Sequence, residues 1–435
     1  MTHNIIQEEI IDEIAEELAI EDLGKATIRE IVSLVNKTEQ YTHEKYIRME
    51  MGVPSLPPPE IGINAEIEAL RKGVASKYPM LEGHPELKDE ASRFFEAFLD
   101  VVISPKHIVP VVGTMQGTYI SFMTATQAMT GKDHVLFIDP GFPVQKQQLQ
   151  VMGIKYRTFD VYRYRGTYLS DKLDDMLHDG KVACIIYSNP NNPSWICFTE
   201  EELRIIAKKA DEYGAIIIED LAYFGMDFRK DLGNPYEPPY QPTAAKYTAN
   251  YIIHMSSSKV FSYAGQRVAL TAISDLLYES KFKALYERYG VSSFGATYVT
   301  RILYALTAGT SHSAQYGLTA MLKAANEGRF KFLDDVKVYG KRAGIMKKMF
   351  LDNGFHLVYE KDMDQELADG FYFTLGYKSM TGGELAHRLI YYGISSISLD
   401  TTGSLQQGIR ACTAFVTEDQ FDDLEKRIKA FTHDF

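Results

Sequence analysis

Residues Ser256-Ser257-Ser258-Lys259-Val260-Phe261-Ser262-Tyr263-Ala264-Gly265-Gln266-Arg267 gather hydroxyls, one lysine and one arginine in a short stretch. They follow the apolar run Tyr251-Ile252-Ile253-His254-Met255, which reads as a buried strand. A strand that delivers Ser-Ser-Ser-Lys to its carboxyl end sets an amine and several donors where open α/β sheets bind ligands. A lysine amine attacks an aldehyde only after its ammonium loses a proton, and burial beside a second cation such as Arg267 favours that loss. Taken alone, Ser-x-Ser-Lys after a strand is more often an ordinary polar turn.

Other turns carry chemistry of the same kind. Gly113-Thr114-Met115-Gln116-Gly117 opens a helix directly after a strand, so free backbone N–H groups and the Thr114 hydroxyl could hold a phosphate; a plain threonine cap gives the same pattern. Phe142, after Asp139-Pro140-Gly141, could stack on a flat ring, although a lone aromatic in a turn is more often core. Asn192 lies between two prolines, a rigid setting for an amide hydrogen bond, in residue types that also make default turns. Asp220 ends an apolar strand with Tyr223 three residues on. A carboxylate there would keep a pyridine nitrogen protonated, and a phenol could bond a ring oxygen.

The elements that must position these groups alternate regularly. Short apolar runs at 108–112, 135–138, 182–187, 215–219 and 251–255 read as strands, separated by helices of ten or more residues. The pattern predicts an α/β fold with a mainly parallel sheet covered by helices on both faces, so the turns converge on one sheet edge. An acidic amphipathic helix opens the chain, and the proline-dense Gly52-Val53-Pro54-Ser55-Leu56-Pro57-Pro58-Pro59 is an extended connector. Beyond Arg267 the reading becomes helix-rich, with long helices over 294–325 and 330–351. A smaller α+β unit follows, in which 371–375 reads as a strand and 382–392 and 418–431 as helices. The expected division is 1–60 for the N-terminal arm and part of the small domain, 61–310 for the large domain and 311–435 for the small C-terminal domain.

The formal net charge of −12 and pI near 5.5 argue against a general nucleic-acid or anionic-membrane surface. Cys184, Cys197 and Cys412 are too few and too spread for a disulfide framework or a cysteine-rich zinc site, so a reducing cytoplasm is expected and no metal. The first residues lack a basic-then-apolar leader, and no apolar run approaches the ~20 residues a bilayer span needs.

In order, Pro190-Asn191-Asn192-Pro193, Asp220-Leu221-Ala222-Tyr223, Ser256-Ser257-Ser258-Lys259, Gly265-Gln266-Arg267 and Gly408-Ile409-Arg410 resemble the marks of the class I/II aminotransferases, fold-type I enzymes that use pyridoxal 5′-phosphate. The resemblance implies a seven-stranded-type sheet in the large domain and a residue-by-residue set of roles. Lys259 would form the internal aldimine and move the proton, Asp220 would pair with the pyridinium nitrogen, and Tyr223 and Asn192 would bond the ring oxygen. Phe142 would stack on the ring, while Thr114, Met115 and Gln116, Ser256 and Arg267 would hold the phosphate. Arg410 would clamp the substrate carboxylate, and Gly52 would let the N-terminal strand approach the substrate. Tyr78 looks like the tyrosine that reaches the cofactor of a neighbouring subunit, so a homodimer with shared sites is implied.

Two departures stand out. Ser194-Trp195 replaces the usual Thr-Gly after Asn192-Pro193, and Ala269 stands where glycine is common. The expected reaction is transfer of an amino group between an L-amino acid and a 2-oxo acid. A C–S β-lyase or a decarboxylase on the same lysine is the alternative, because the cofactor stabilises all these carbanions. A non-catalytic regulator fits less well, because little chain precedes Gly52. Arg288 is a candidate reader of an acidic substrate side chain, although beside Glu287 it is more simply a solvated helix arginine.

Overall fold

The computed structural model describes residues 3–435; the expectation about a leader rests in part on Met1 and Thr2, which lie outside the described residues. Seven strands build the main sheet: β1 (Ile108–Val111), β2 (His134–Asp139), β3 (Lys155–Asp160), β4 (Val182–Ser188), β5 (Ile216–Leu221), β6 (Tyr251–Ser256) and β7 (Ala269–Ile273). Their spatial order is β1-β7-β6-β5-β4-β2-β3. All are parallel except β7, which runs antiparallel between β1 and β6.

The central strands are apolar on both faces because helices cover both. Val135, Phe137, Ile216 and Ile218 point into one core and Leu136, Ile138, Ile217 and Leu221 into the other, the two-residue period of a strand. The longer helices are α1 (Glu8–Glu17), α2 (Ile28–Thr42), α3 (Glu60–Arg71), α4 (Pro85–Leu99), α5 (Gly113–Ala128), α6 (Pro143–Met152), α7 (Tyr168–Leu177), α8 (Glu200–Tyr213), α9 (His312–Asn326), α10 (Phe332–Asp352), α11 (Gly382–Tyr391) and α12 (Phe421–Asp434). Reciprocal Thr–Glu caps start α2, α8 and α11, through Thr27 and Glu30, Thr199 and Glu202, and Thr381 and Glu384.

The second sheet is antiparallel in the order β10-β11-β9-β8, with β8 at Phe355–Leu357, β9 at Tyr372–Tyr377, β10 at Ile397–Ser398 and β11 at Ile409–Cys412. The N-terminal segment joins it: Ile47 and Arg48 pair in parallel with Ile394 and Ser395. Helices α1 and α2 pack with Ile390 and Ile397.

Three differences from the sequence reading have local causes. β3 was not expected because Lys155, Tyr156 and Thr158 face solvent at the sheet edge, which removes the apolar signature. β7 lies in the stretch taken as helix-rich, because Ala269-Leu270-Thr271-Ala272-Ile273 is as compatible with a buried helix as with a strand. The helix expected over 294–325 breaks where Ala308 and Gly309 take positive φ, and α9 starts afresh. The division drawn at 310 falls just before α9, whose Ala314, Leu318, Met321 and Leu322 lie in the same buried cluster as Leu87, Phe94 and Phe98 of α4.

Candidate active site

Asp220, the last residue but one of β5, is buried. Gln145, from the first turn of α6, donates from Nε2 to Asp220 Oδ2 at 2.8 Å, while Oδ1 is buried with no protein partner. Burial pushes this carboxyl up to about 6, against the Gln145 amide, the Ala222 N–H and the charge of Lys259.

Lys259 follows β6 in a turn tied to itself. Ser256 Oγ accepts from the Ser258 N–H at 3.1 Å, and the Ser262 N–H donates to the Lys259 carbonyl at 3.2 Å. Burial pulls the Lys259 amine down to about 8; Cys412 and Asp220 oppose that shift, and Arg267 and Arg410 reinforce it. Glu66 braces the turn from below, accepting from the hydroxyls of Tyr263 and, at 2.9 Å, Ser313.

Beside the lysine lies the start of α5. Helix α5 starts with no side-chain cap, and the side chain of Gln116 is spent on accepting from the Val112 N–H and donating to Thr307, both at 2.7 Å. Thr114 is half-buried and Met115 exposed at this helix start. Arg267 takes a left-handed φ of 53° and lies over Gly113, where an added Cβ would come within 2.3 Å of Arg267 Nη2. An open helix N-terminus beneath a guanidinium, next to the buried Ser256, is suited to a phosphate.

The other end of the site is a buried cation. Arg410, in β11, is 1% exposed; Nη1 donates to Asn192 Oδ1 at 3.3 Å, Nη2 donates to the Glu50 carbonyl, and Nε has no partner. Its guanidinium sits 4.7 Å from the centre of the Tyr372 ring. The Tyr372 and Tyr223 hydroxyls bond each other at 2.7 Å. Gly52 passes so close that an added Cβ would lie 2.0 Å from the Tyr372 oxygen. Trp195 stands edge-on to Tyr223 and Tyr372, with centroids 5.4 and 6.1 Å away, and its indole fills the space a side chain at Gly370 would need.

Phe142 is half-buried at the start of α6, and its carbonyl accepts from the N–H of Gln145, the partner of Asp220, at 3.1 Å. Two candidates, Tyr78 and Arg288, lie on the surface of the single chain. Tyr78 is 92% exposed. Arg288 is exposed on a short helix, over the Tyr289 ring. Sequence reasoning missed Gln145, Tyr372 and Cys412. Gln145 has no motif, but Tyr372 lies within the 371–375 run read as a strand, and Cys412 two residues past Arg410.

The unpaired Asp220 Oδ1, the unpaired Arg410 Nε and the open helix start under Arg267 ask respectively for a cationic ring nitrogen, a carboxylate and a phosphate. These residues fit a phosphorylated pyridine aldehyde held by Lys259 and an amino-acid carboxylate held by Arg410.

The architecture is that of solved aminotransferases: an aminotransferase from Mycobacterium tuberculosis superposes with a TM-score of 0.75 at 17% identity, covering 94% of this chain and 96% of that one. Residues 44–428 match the family profile described as "Aminotransferase class I and II", and the chain belongs to that family. An asparagine–oxo-acid transaminase of Streptococcus mutans is 25% identical over 235 residues, 53% of this chain and only 57% of that relative's length. An LL-diaminopimelate aminotransferase of Natranaerobius thermophilus is 24% identical over 355 residues, 79% of this chain and 83% of that one. Among the described residues, no helix is long and apolar enough to cross a membrane.

Proposed function

We propose that the chain moves an amino group between an L-amino acid and a 2-oxo acid, using pyridoxal 5′-phosphate on Lys259. The carrying observation is Asp220: a buried carboxylate with one oxygen unpaired, beside a lysine whose amine burial brings near neutrality. Thr114, the Met115 and Gln116 backbone, Ser256 and Arg267 would hold the phosphate; Phe142, Asn192 and Tyr223 would fix the ring. When bound, the cofactor supplies an electron sink for a carbanion at the substrate α-carbon. Arg410 binds the substrate carboxylate, and Gly52 leaves the N-terminal strand close enough to cover it. Lys259 Nζ takes the α-proton and returns it. Overall, one amine and one ketone exchange, so atoms and charge balance.

The shared homodimer site is part of this proposal. Tyr78, Met80, Met115, Tyr304 and Leu306 are exposed and apolar or aromatic. They belong together: Pro79 packs on Gly309, and Gln116 bonds Thr307. A second copy would bury this patch beside the phosphate end and bring its Tyr78 there. Three buried, free cysteines support a cytoplasmic setting.

Lys259→Ala tests the reading. With pyridoxal phosphate it should lose the lysine-dependent visible absorbance and at least a thousandfold in turnover; full turnover in this variant would sink the proposal. A panel of amino donors and 2-oxo acids, with ammonia and pyruvate followed in parallel, separates transfer from β-elimination. Ammonia released without an acceptor would point to the lyase.

A further inference from the structure

We propose that Tyr372 is a positioning residue whose hydroxyl holds the Tyr223 phenol and whose ring holds the Arg410 guanidinium, joining the ring-oxygen and carboxylate ends of the site. This rests on the transfer reading above.

The placement follows from strand register. Tyr372 pairs with Cys412 and Thr374 with Arg410, so on a two-residue period Tyr372 and Arg410 are diagonal neighbours on one face of the small sheet. That face meets the large domain, where Tyr223 follows β5. The 2.7 Å bond between the phenols therefore links the two sheets, and the 4.7 Å cation–ring contact lies within the small one.

Tyr372 is also locked. It is 1% exposed, Trp195 packs edge-on to it, and the Gly52 backbone lies directly against its hydroxyl. Two buried hydroxyls can satisfy each other in either direction. With Tyr372 donating, the Tyr223 proton is free to face a ring oxygen. Removing the Tyr372 hydroxyl leaves Tyr223 without its protein partner, and removing the ring leaves Arg410 without the surface it rests on. The two parts of one side chain thus have separable effects.

The experiment compares Tyr372→Phe with Tyr372→Leu in the loaded dimeric enzyme. Tyr372→Phe keeps the ring and should leave KM for the amino acid within about twofold. It should lower kcat about fivefold, as for loss of one buried hydrogen bond. It should also raise the pH midpoint of the visible absorbance by about half a unit or more. Tyr372→Leu should add an increase in KM of about tenfold. A purely structural role predicts instead that Phe and Leu raise KM alike, or that Phe leaves both midpoint and kcat unchanged; either result overturns the proposal. If Tyr372→Leu fails to fold, Tyr223→Phe, Tyr372→Phe and the double variant decide: effects on the midpoint that simply add overturn the coupling, and a double no worse than Tyr223→Phe supports it. Wild-type enzyme with no lysine-dependent absorbance would instead sink the transfer reading.

Discussion

Asp139 and Asp220 stand at the carboxyl ends of β2 and β5 in the same sheet, both buried, each with an unpaired Oδ1. Burial raises both carboxyls, Asp139 to about 7 and Asp220 to about 6. They differ in what faces them. Consecutive residues of α6 serve the two: Lys146 places its ammonium 2.5 Å from Asp139, whereas Gln145 offers Asp220 only a neutral amide at 2.8 Å. One charge is paired directly inside the chain; the other feels Lys259 without an ion pair to it and is left for something that arrives. A buried carboxylate without a cation costs stability, and a fold keeps such a group where a ligand will pair it.

Removing the unanswered charge should have the largest effect. Asp220→Asn is expected to lower turnover about a thousandfold, ~4 kcal/mol of barrier. The cofactor-free chain should at the same time become more stable. Folding raises the Asp220 pKa from 3.8 to about 6. The ionised group therefore opposes folding fully above about pH 6, and the cost fades as pH falls toward 3.8. Asparagine abolishes that cost, worth up to ~3 kcal/mol at pH 8. Thermal melts of the cofactor-free variant check this; a lower midpoint would break the contrast.

Next is to make Asp139 resemble Asp220. Lys146→Met should destabilise the chain at pH 8 by about 3 kcal/mol, since an unpaired buried charge remains. Lys146 is one of the groups that hold the Asp139 pKa down, so without it Asp139 takes its proton above about 7, and the loss should shrink as pH falls toward 7. Turnover per folded molecule should stay within about threefold of wild type, as denaturant melts paired with activity assays would show.

The smallest change makes Asp220 resemble Asp139. Gln145→Lys gives Asp220 an internal cation and should weaken pyridoxal phosphate binding about tenfold, ~1.4 kcal/mol, by spectroscopic titration. Unchanged affinity would mean that the Asp220 charge is not what the ring nitrogen needs.

How much of this was legible in sequence depended on where each signal was stored. Lys259, Asp220, Asn192 and Arg410 lie next to prolines, glycines or strand ends, whose local patterns persist in the linear chain; the first three lie at the carboxyl ends of the main-sheet strands, and Arg410 reaches Asn192 from the small sheet. Gln145 and Tyr372 bond partners 75 and 149 residues away, so nothing beside them in sequence announces those contacts. The parallel core strands were readable as unbroken apolar runs. β3 was hidden by its solvated edge, and β7 by an alanine-rich pattern that suits either helix or strand.

Helix α10 carries one further consequence. Its first half, Phe332, Leu333, Val336 and Tyr339, is buried in the large core, and its second half, Ala343, Met346 and Phe350, in the small one. Tyr339 also accepts from the Ser55 N–H at 3.1 Å and touches Phe371, 4.8 Å away. The 21 residues span ~31 Å without a break. Such a helix is an axle shared by both halves. Any swing of the small sheet toward the large one must roll or flex this single rod, and it carries the proline connector and the strand bearing Tyr372 with it.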